Sequence, residues 1–324
     1  MSPALARAIS KVVVLRDREA PVALLMFVYS FLAMTSYNIV KPITRSKFIN
    51  SFGADNLPWI LLGAGLLIGV LMHQYTRAMG RLARRSVTPV TLIGIIGLQL
   101  GFWLLLQTGW EPVSAGLYLF GQILGILLIS QFWTLANDVY DARQAKRLFG
   151  FIGGGASLGG ALGSGITAFF AERVGSGNLL LVSAATLAAC LAIVMLILRR
   201  QDPANLSAIE EERGVGGAEA LRLLAQSPQL RVIALVIGLA AGGATIVEQQ
   251  LNMVAEATGD SEAAIAVFLA SVTMYLSIAG FFVQVVLTSR IHRSLGLAVA
   301  LLLLPFTLGS TAVLILLTGA TWAP

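Results

Sequence analysis

The chain has 324 residues, of which 57% are hydrophobic and only 12% are charged. Soluble globular domains carry roughly 25% charged residues, so this composition excludes an ordinary soluble protein and indicates a lipid environment. The formal net charge is +6, and the single cysteine, Cys190, excludes a disulfide within the chain.

Uncharged segments recur along the chain at regular intervals. A helix that crosses a bilayer needs roughly 18–20 apolar residues in a row. The candidate spans are residues 21–40, 56–76, 86–110, 112–137, 148–171, 174–198, 232–247, 263–289 and 294–324. The segment 232–247 is short and is expected to continue past Glu248. We therefore predict an all-α polytopic membrane protein with about nine spans.

Lysine and arginine are concentrated in alternate connections between these spans. Of the 22 basic residues, 18 lie in the N-terminal tail or in the connections 2–3, 4–5, 6–7 and 8–9. Cytoplasmic loops carry such an excess, so the pattern predicts a cytoplasmic tail at residues 1–20. It also explains the basic charge without a nucleic-acid partner. A cleaved signal peptide is the alternative, but no small-residue cleavage site follows the first apolar run.

A polar segment at 200–230 divides the chain. Residues 21–199 are predicted to form a six-helix bundle, 200–230 a cytoplasmic linker and 231–324 a partial second bundle of three helices. Many transporters have two such bundles, with the substrate site between them. Six helices in each bundle predict twelve in all, so we expect the chain to lack three.

The segment "YNIVKPITRSKF", residues 37–48, combines basic and aromatic residues at the end of the first span. Tyr37, Lys41 and Arg45 are four residues apart and share one helical face. Pro42 is expected to break the helix beside them. With Asn38, these groups suit an anionic substrate in a cavity. The alternative is that the cations extend along the helix to the membrane surface.

Near the end of the seventh span lie Glu248, Gln249 and Gln250. Glu248 is predicted to contact the substrate site, either by pairing with Lys41 or Arg45 or by carrying a coupling proton. Alternatively, it caps the span in the headgroup region.

The glycine-rich segment at 150–163 fits no nucleotide-binding loop. Leu158 occupies the position of the third glycine of a dinucleotide fingerprint, and Gly160 that of the phosphate-loop lysine. Instead, Gly155, Gly159 and Gly163 repeat at four-residue steps. Small residues at this spacing allow two membrane helices to approach closely, so we predict helix packing.

The connection before these glycines is dense in charge. We predict a gate or latch at the cytoplasmic side, in which ion pairs between carboxylates and arginines at the helix ends hold the bundles together. Its residues are Arg77, Arg81, Asp138, Asp141, Arg143, Lys146 and Arg147. A second possibility is that the lysine and arginines meet an incoming phosphate. The alternative is topological charge with incidental pairing.

The segment "FWTLANDVYDARQAKRLFGFIGGGASLG", residues 132–159, resembles the ATP/ADP carriers of plastids and intracellular bacteria, within the wider major facilitator superfamily. Residues 37–48 and 284–305 are similar to two further segments of that group. The resemblance implies a twelve-helix bundle, nucleotide exchange and basic substrate-site residues at Lys41 and Arg45.

The same resemblance assigns two polar side chains to the substrate site. Gln122 is the polar residue nearest to an acidic position of the carriers, and Asn137 ends the F-W-x-x-A-N motif. Lys146 and Arg147 match the A-K-R of the family.

The predicted function is transport by alternating access, in a bacterial inner membrane, of a nucleotide such as ATP or ADP or of another small organic anion. The alternative is a sensor or scaffold module that transports nothing. No enzyme activity, cofactor or metal site is predicted, because His73, His292 and Cys190 form neither a metal-ligand cluster nor a triad.

Overall fold

The computed structural model describes residues 20–80, 82, 84–140, 142–200 and 217–283. All regular elements in these ranges are helical. The α-helices are α1 (Ala20–Phe52), α2 (Leu57–Met79), α3 (Arg84–Leu106), α4 (Pro112–Val139), α5 (Ala142–Val174), α6 (Leu179–Arg200), α7 (Gly217–Gln226), α8 (Pro228–Thr258) and α9 (Glu262–Phe282). Short 3-10 turns at Ala54–Asn56 and Ser176–Asn178 join α1 to α2 and α5 to α6.

Seven segments of the described chain are long and apolar enough to cross a membrane, and they contain α1, α2, α3, α4, α6, α8 and α9. The 33-residue α5 is also long enough, but its many glycines and serines make it less apolar. These helices match the first eight predicted spans and make the chain a multi-pass helical membrane protein. The predicted span 294–324, the tail at 1–19 and most of the linker lie outside the described residues.

The predicted helix break at Pro42 is wrong. Helix α1 continues through Pro42 to Phe52, and the proline ring is buried. Proline is tolerated in membrane helices when neighbouring groups satisfy the backbone around it. The hydroxyl of Thr167 on α5 donates to the carbonyl of Ile39 at 3.3 Å. This carbonyl is next to that of Asn38, which loses its helical hydrogen-bond donor at Pro42.

Helix α1 is the central element of the described bundle. It packs against α4, α5, α6, α8 and α9, and its Met26 and Tyr29 side chains are completely buried. The hydroxyls of Ser36 on α1 and Ser183 on α6 are hydrogen-bonded at 2.7 Å. The substrate-site residues predicted on α1 therefore lie on a helix surrounded by other helices.

The glycine face of α5 lies directly against the backbone of α1. A Cβ atom added to Gly159 would lie 2.1 Å from the carbonyl oxygen of Phe31, and one added to Gly163 would lie 2.2 Å from that of Thr35. At Gly155 the corresponding distance to the Phe27 carbonyl oxygen is 2.7 Å. The structure thus places all three glycines where only hydrogen fits, and the segment is a helix rather than a phosphate-binding loop.

Large apolar side chains cover the outward-facing surfaces of the described helices. On α2 and α8 they include Trp59, Leu62, Leu235 and Leu239, all more than half exposed. Apolar surface of this extent is unusual for a soluble protein and suits contact with lipid chains.

The connections between spans gather at two ends of the bundle. At one end, side-chain hydrogen bonds join Ser51 to Ser114, Trp103 to Asn178, and Ser176 to Glu262. We call this the Glu262 end. At the other end, a guanidinium nitrogen of Arg85 donates to the Leu198 carbonyl at 2.8 Å. We call this the Arg85 end.

A buried polar network joins α2, α3 and α4. Gln131 accepts a hydrogen bond from Thr88 Oγ1 at 2.7 Å and donates to the hydroxyl of Tyr75 and, at 3.4 Å, to that of Thr91. Tyr75 and Thr91 are in turn hydrogen-bonded at 2.6 Å. One glutamine thus links three helices through their side chains.

Replacing Gln131 by leucine is expected to lower the free energy of unfolding by about 2 kcal/mol. The substitution removes three interhelical hydrogen bonds, each worth about 0.6 kcal/mol in a membrane protein. Thermal unfolding in detergent measures the change. The control is Thr186→Val, because the Thr186 hydroxyl donates only to Val182 of its own helix. Equal melting temperatures for Gln131→Leu and Thr186→Val would contradict the prediction.

Candidate functional site

Two basic residues of α1 meet one carboxylate of α8 inside the bundle. Glu248 Oε1 lies 3.0 Å from Lys41 Nζ and 2.6 Å from a guanidinium nitrogen of Arg45. The side chain of Arg45 is only 9% exposed, whereas that of Glu248 is 40% exposed. We call these three residues the charge cluster. Two cations and one carboxylate leave it with one net positive charge.

The four-residue spacing along α1 brings the two cations together, because residues four apart lie one above the other on a helix. Tyr37 continues the same face and packs against α4. A Cβ atom added to Gly125 would lie 2.8 Å from the Tyr37 ring. Gly121, one turn earlier, makes similar room for Thr44. The glycines of α4 therefore let this face of α1 pack closely against α4.

A small cavity of about 40 Å³ adjoins the charge cluster. Arg45 and Glu248 line it together with Leu57, Pro58, Leu61, Tyr118, Thr245, Gln249 and Asn252. This volume accommodates water molecules but not a sugar acid or a nucleotide. In the structure, both cations contact Glu248.

Asn252 is a polar residue of this cavity that the sequence analysis missed. Asn252 is only 5% exposed, and its side-chain oxygen has no hydrogen-bond partner among the described residues. Buried polar atoms are normally hydrogen-bonded, so this oxygen is available to a water molecule or a solute. Tyr118 on α4 and Thr245 on α8 are further polar residues of the cavity that the sequence pattern did not indicate.

The other predicted substrate-site residues are dispersed. Gln122 lies one turn beyond Tyr118 on α4 and is half-buried. Asn38 donates to the Met34 carbonyl of its own helix and lies beside Gly160 of α5. Asn137 is exposed in the last turn of α4, at the Arg85 end. The structure thus does not bring Asn137 to the charge cluster.

The predicted latch remains a prediction. Arg77 is exposed in the last turn of α2, and Asp138 is half-buried at the end of α4. Arg81 and Asp141 lie outside the described residues. The first turns of α5 contain Arg143, Lys146 and Arg147, for which the structure describes only the backbone.

A second carboxylate, Glu262, joins three elements at the Glu262 end. It accepts hydrogen bonds from Ser46 Oγ at 2.7 Å, from Lys47 Nζ at 3.2 Å and from Ser176 Oγ at 2.7 Å. Nearby, Glu256 accepts from the backbone nitrogen of Ala54 at 3.0 Å. Helices α8 and α9 are thereby held to the end of α1, and Lys47 is paired rather than directed to solvent.

The described residues contain no group of three His, Cys, Asp or Glu side chains that could hold a metal ion. The charge cluster offers ionic contacts and hydrogen-bond donors, which bind an anion without a metal. The ammonium of Lys41 and the guanidinium of Arg45 are groups that can form ionic contacts and hydrogen bonds with a negatively charged group.

Comparison with known proteins gives one family and one curated relative. The family profile described as Major Facilitator Superfamily matches residues 26–324. The hexuronate transporter of Bacillus subtilis (strain 168) is 28% identical over 153 residues, which cover 44% of this chain and 34% of that protein. The chain thus matches only about a third of the length of this relative. No solved structure matches the chain. These findings support the superfamily and give no support to the ATP/ADP carrier resemblance.

Proposed function

Because this chain belongs to the Major Facilitator Superfamily, we propose that it transports a small carboxylate-bearing organic anion of the hexuronate class across the membrane. The observation that carries the proposal is the pair of cations, Lys41 and Arg45, on one face of the central helix within the bilayer span. Transport leaves the solute chemically unchanged. The superfamily does not favour the alternative of a sensor without transport.

The carboxylate of the solute is proposed to bind Arg45 and Lys41. A guanidinium has several donors in a planar fork that matches a carboxylate, and an ammonium adds a point charge. Cationic residues within a membrane span are costly and mark functional sites. Arg45 is the principal anchor because it is the more deeply buried of the two.

The polar groups around the cluster suit the hydroxyls of a sugar acid. Tyr118, Gln249 and Asn252 line the adjoining cavity, and Gln122 lies one turn away on α4. Hydroxyls and amides of this kind orient a polar solute by hydrogen bonds. With one net positive charge, the cluster matches a monocarboxylate better than a nucleoside triphosphate, which carries several negative charges.

We also propose the topology that the basic residues favour. The Arg85 end, which contains Arg77, Arg85, Arg199 and Arg200, faces the cytoplasm of a bacterial inner membrane, with the N-terminus on the same side. Residues 21–199 form the first bundle, and residues 231–324 belong to the second. Alternating access between the two bundles opens the charge cluster to each side in turn.

The direct test is uptake into proteoliposomes that contain the purified chain. Labelled glucuronate is expected to accumulate in them, unlabelled galacturonate to compete, and neutral glucose and ATP not to compete. The glucose control separates recognition of the carboxylate from recognition of the sugar. Vesicles that take up no carboxylate above the protein-free background would overturn the proposal.

A further inference from the structure

A second cavity, of about 190 Å³, lies between α1, α4 and α5. We propose that it binds an apolar group carried by the solute, so that the preferred substrates are hexuronates with an aromatic group on the anomeric oxygen, the aryl glucuronides. Their carboxylate binds Lys41 and Arg45 while the aryl group enters the cavity. The inference rests on the proposed function, from which it takes the role of the two cations. It adds the part of the substrate that the charge cluster does not recognise.

The walls of this cavity suit an aromatic group. Apart from Ser30, its lining residues are apolar or aromatic side chains or glycine, and none of them is charged. The α4 wall contains the rings of Phe132 and Trp133, whose centroids are 5.3 Å apart and whose planes are inclined at 74°. An engineered apolar cavity of about 150 Å³ in another protein binds benzene. The space between α1, α4 and α5 is therefore large enough for an aryl ring.

The cavity and the charge cluster lie along the same face of α1. Met34 lines the cavity, and Lys41 follows it after seven residues, which is close to two helical turns. With a rise of about 1.5 Å per residue, the two positions are about 10 Å apart along the helix. In a hexuronate glycoside, the carboxylate and the aryl group are attached to the two carbons that flank the ring oxygen, and they point away from each other. One such molecule can therefore reach both sites.

The cavity adjoins a face of α4 that suits a water-filled path. Ile129 and Trp133 line the cavity and are exposed, and the same face carries the exposed polar residues Ser130, Thr134 and Asn137. Polar side chains within a membrane span usually face the bundle interior or a water-filled cavity rather than lipid. A solute that enters along this face therefore meets the indole of Trp133.

The test measures how strongly three unlabelled compounds inhibit the uptake of labelled glucuronate into proteoliposomes. Because burial of an aromatic ring favours binding, phenyl glucuronide is expected to have an inhibition constant about tenfold or more below that of methyl glucuronide. Phenyl glucoside, which lacks the carboxylate, should inhibit about tenfold or more weakly than phenyl glucuronide. Equal inhibition by the two glucuronides would overturn the inference, and so would equal inhibition by the two phenyl compounds.

Substitutions of Trp133 test where the aryl group binds. Trp133→Ala should reduce the preference for phenyl over methyl glucuronide to about threefold or less, whereas Trp133→Phe keeps an aromatic ring and should retain most of it. The readout is the ratio of two inhibition constants, which a loss of folded protein does not change. The matched control is Trp59→Ala, which removes an exposed tryptophan from α2 and should leave the ratio unchanged. An undiminished preference in Trp133→Ala would overturn the inference.

A second variant covers the case in which Trp133→Ala does not insert into the membrane. Ala156→Leu adds a larger side chain to the α5 wall of the cavity and should also abolish the preference for the phenyl compound. A preference that survives this substitution would count against the cavity as the binding site. A wild-type protein that takes up neither glucuronate nor phenyl glucuronide refutes the proposed function instead. Glucuronate uptake without any preference for phenyl glucuronide refutes the inference alone.

Discussion

Replacing Arg45 by alanine is expected to raise the KM for uptake of the proposed hexuronate substrate by about 30-fold or more. Truncating one partner of a buried, hydrogen-bonded charge pair costs about 2–5 kcal/mol, and each 1.4 kcal/mol corresponds to a factor of ten. Arg45 is buried and lies 2.6 Å from Glu248, so its loss also leaves Glu248 with Lys41 alone. Initial uptake rates into proteoliposomes, measured over a range of glucuronate concentrations, give the KM.

Two substitutions calibrate this result. Arg173→Ala removes an exposed arginine from the last turn of α5 and should leave the KM unchanged. Lys41→Ala should raise the KM less than Arg45→Ala, because Lys41 is more exposed and its contact with Glu248 is longer, at 3.0 Å. A wild-type KM for Arg45→Ala, in protein that is inserted normally, would show that the guanidinium does not bind the solute.

The first eight predicted spans agree with the helices because long apolar runs are what a helix needs to cross a bilayer. The four-residue spacing of Lys41 and Arg45 likewise specifies one face of a helix, whatever surrounds it. The sequence also offered pairing between Glu248 and these cations as one of three alternatives. Only the packing of α8 beside α1 shows the ion pairs, because residues about 200 positions apart carry no local signal of contact.

The features that went unnoticed depend on packing rather than on pattern. Asn252 follows two other amides, Gln249 and Gln250, and nothing in its sequence neighbours indicates that its oxygen lacks a partner. Glu262 follows Ser261, whose hydroxyl caps α9, and therefore reads as an ordinary helix start. Asn137 is the reverse case: a sequence motif assigned it to the substrate site, whereas the structure places it in the last turn of α4, at the Arg85 end.

The prediction of a helix break at Pro42 was wrong for a related reason. The loss of a backbone donor at proline is a property of the sequence, whereas its compensation depends on the neighbouring helix. Thr167, which donates to the carbonyl of Ile39, belongs to α5 and is brought there by the glycine face. The sequence around Pro42 does not specify which helix packs there, so the contact with α5 could not be predicted from it.

Replacing Gly159 by alanine is expected to destabilise the protein by about 2 kcal/mol or more, within or above the range for overpacked cores. The new methyl carbon would lie 2.1 Å from the Phe31 carbonyl oxygen and 2.9 Å from the carbonyl carbon. Both atoms belong to the backbone of α1, so no side-chain rotation can relieve the clash. The two helices must separate, and thermal unfolding in detergent should show a melting temperature lower by several degrees.

Gly150, on the same helix, provides a control in which alanine is expected to increase stability rather than decrease it. A Cβ atom added there would meet no atom within 4 Å, so Gly150→Ala should gain up to about 1 kcal/mol from the higher helix propensity of alanine. Because α1 carries Lys41 and Arg45, its displacement in Gly159→Ala should reduce glucuronate uptake as well as stability. If Gly159→Ala instead melts at or above the wild-type temperature, the close approach of α5 to α1 is not what holds the central helix in place.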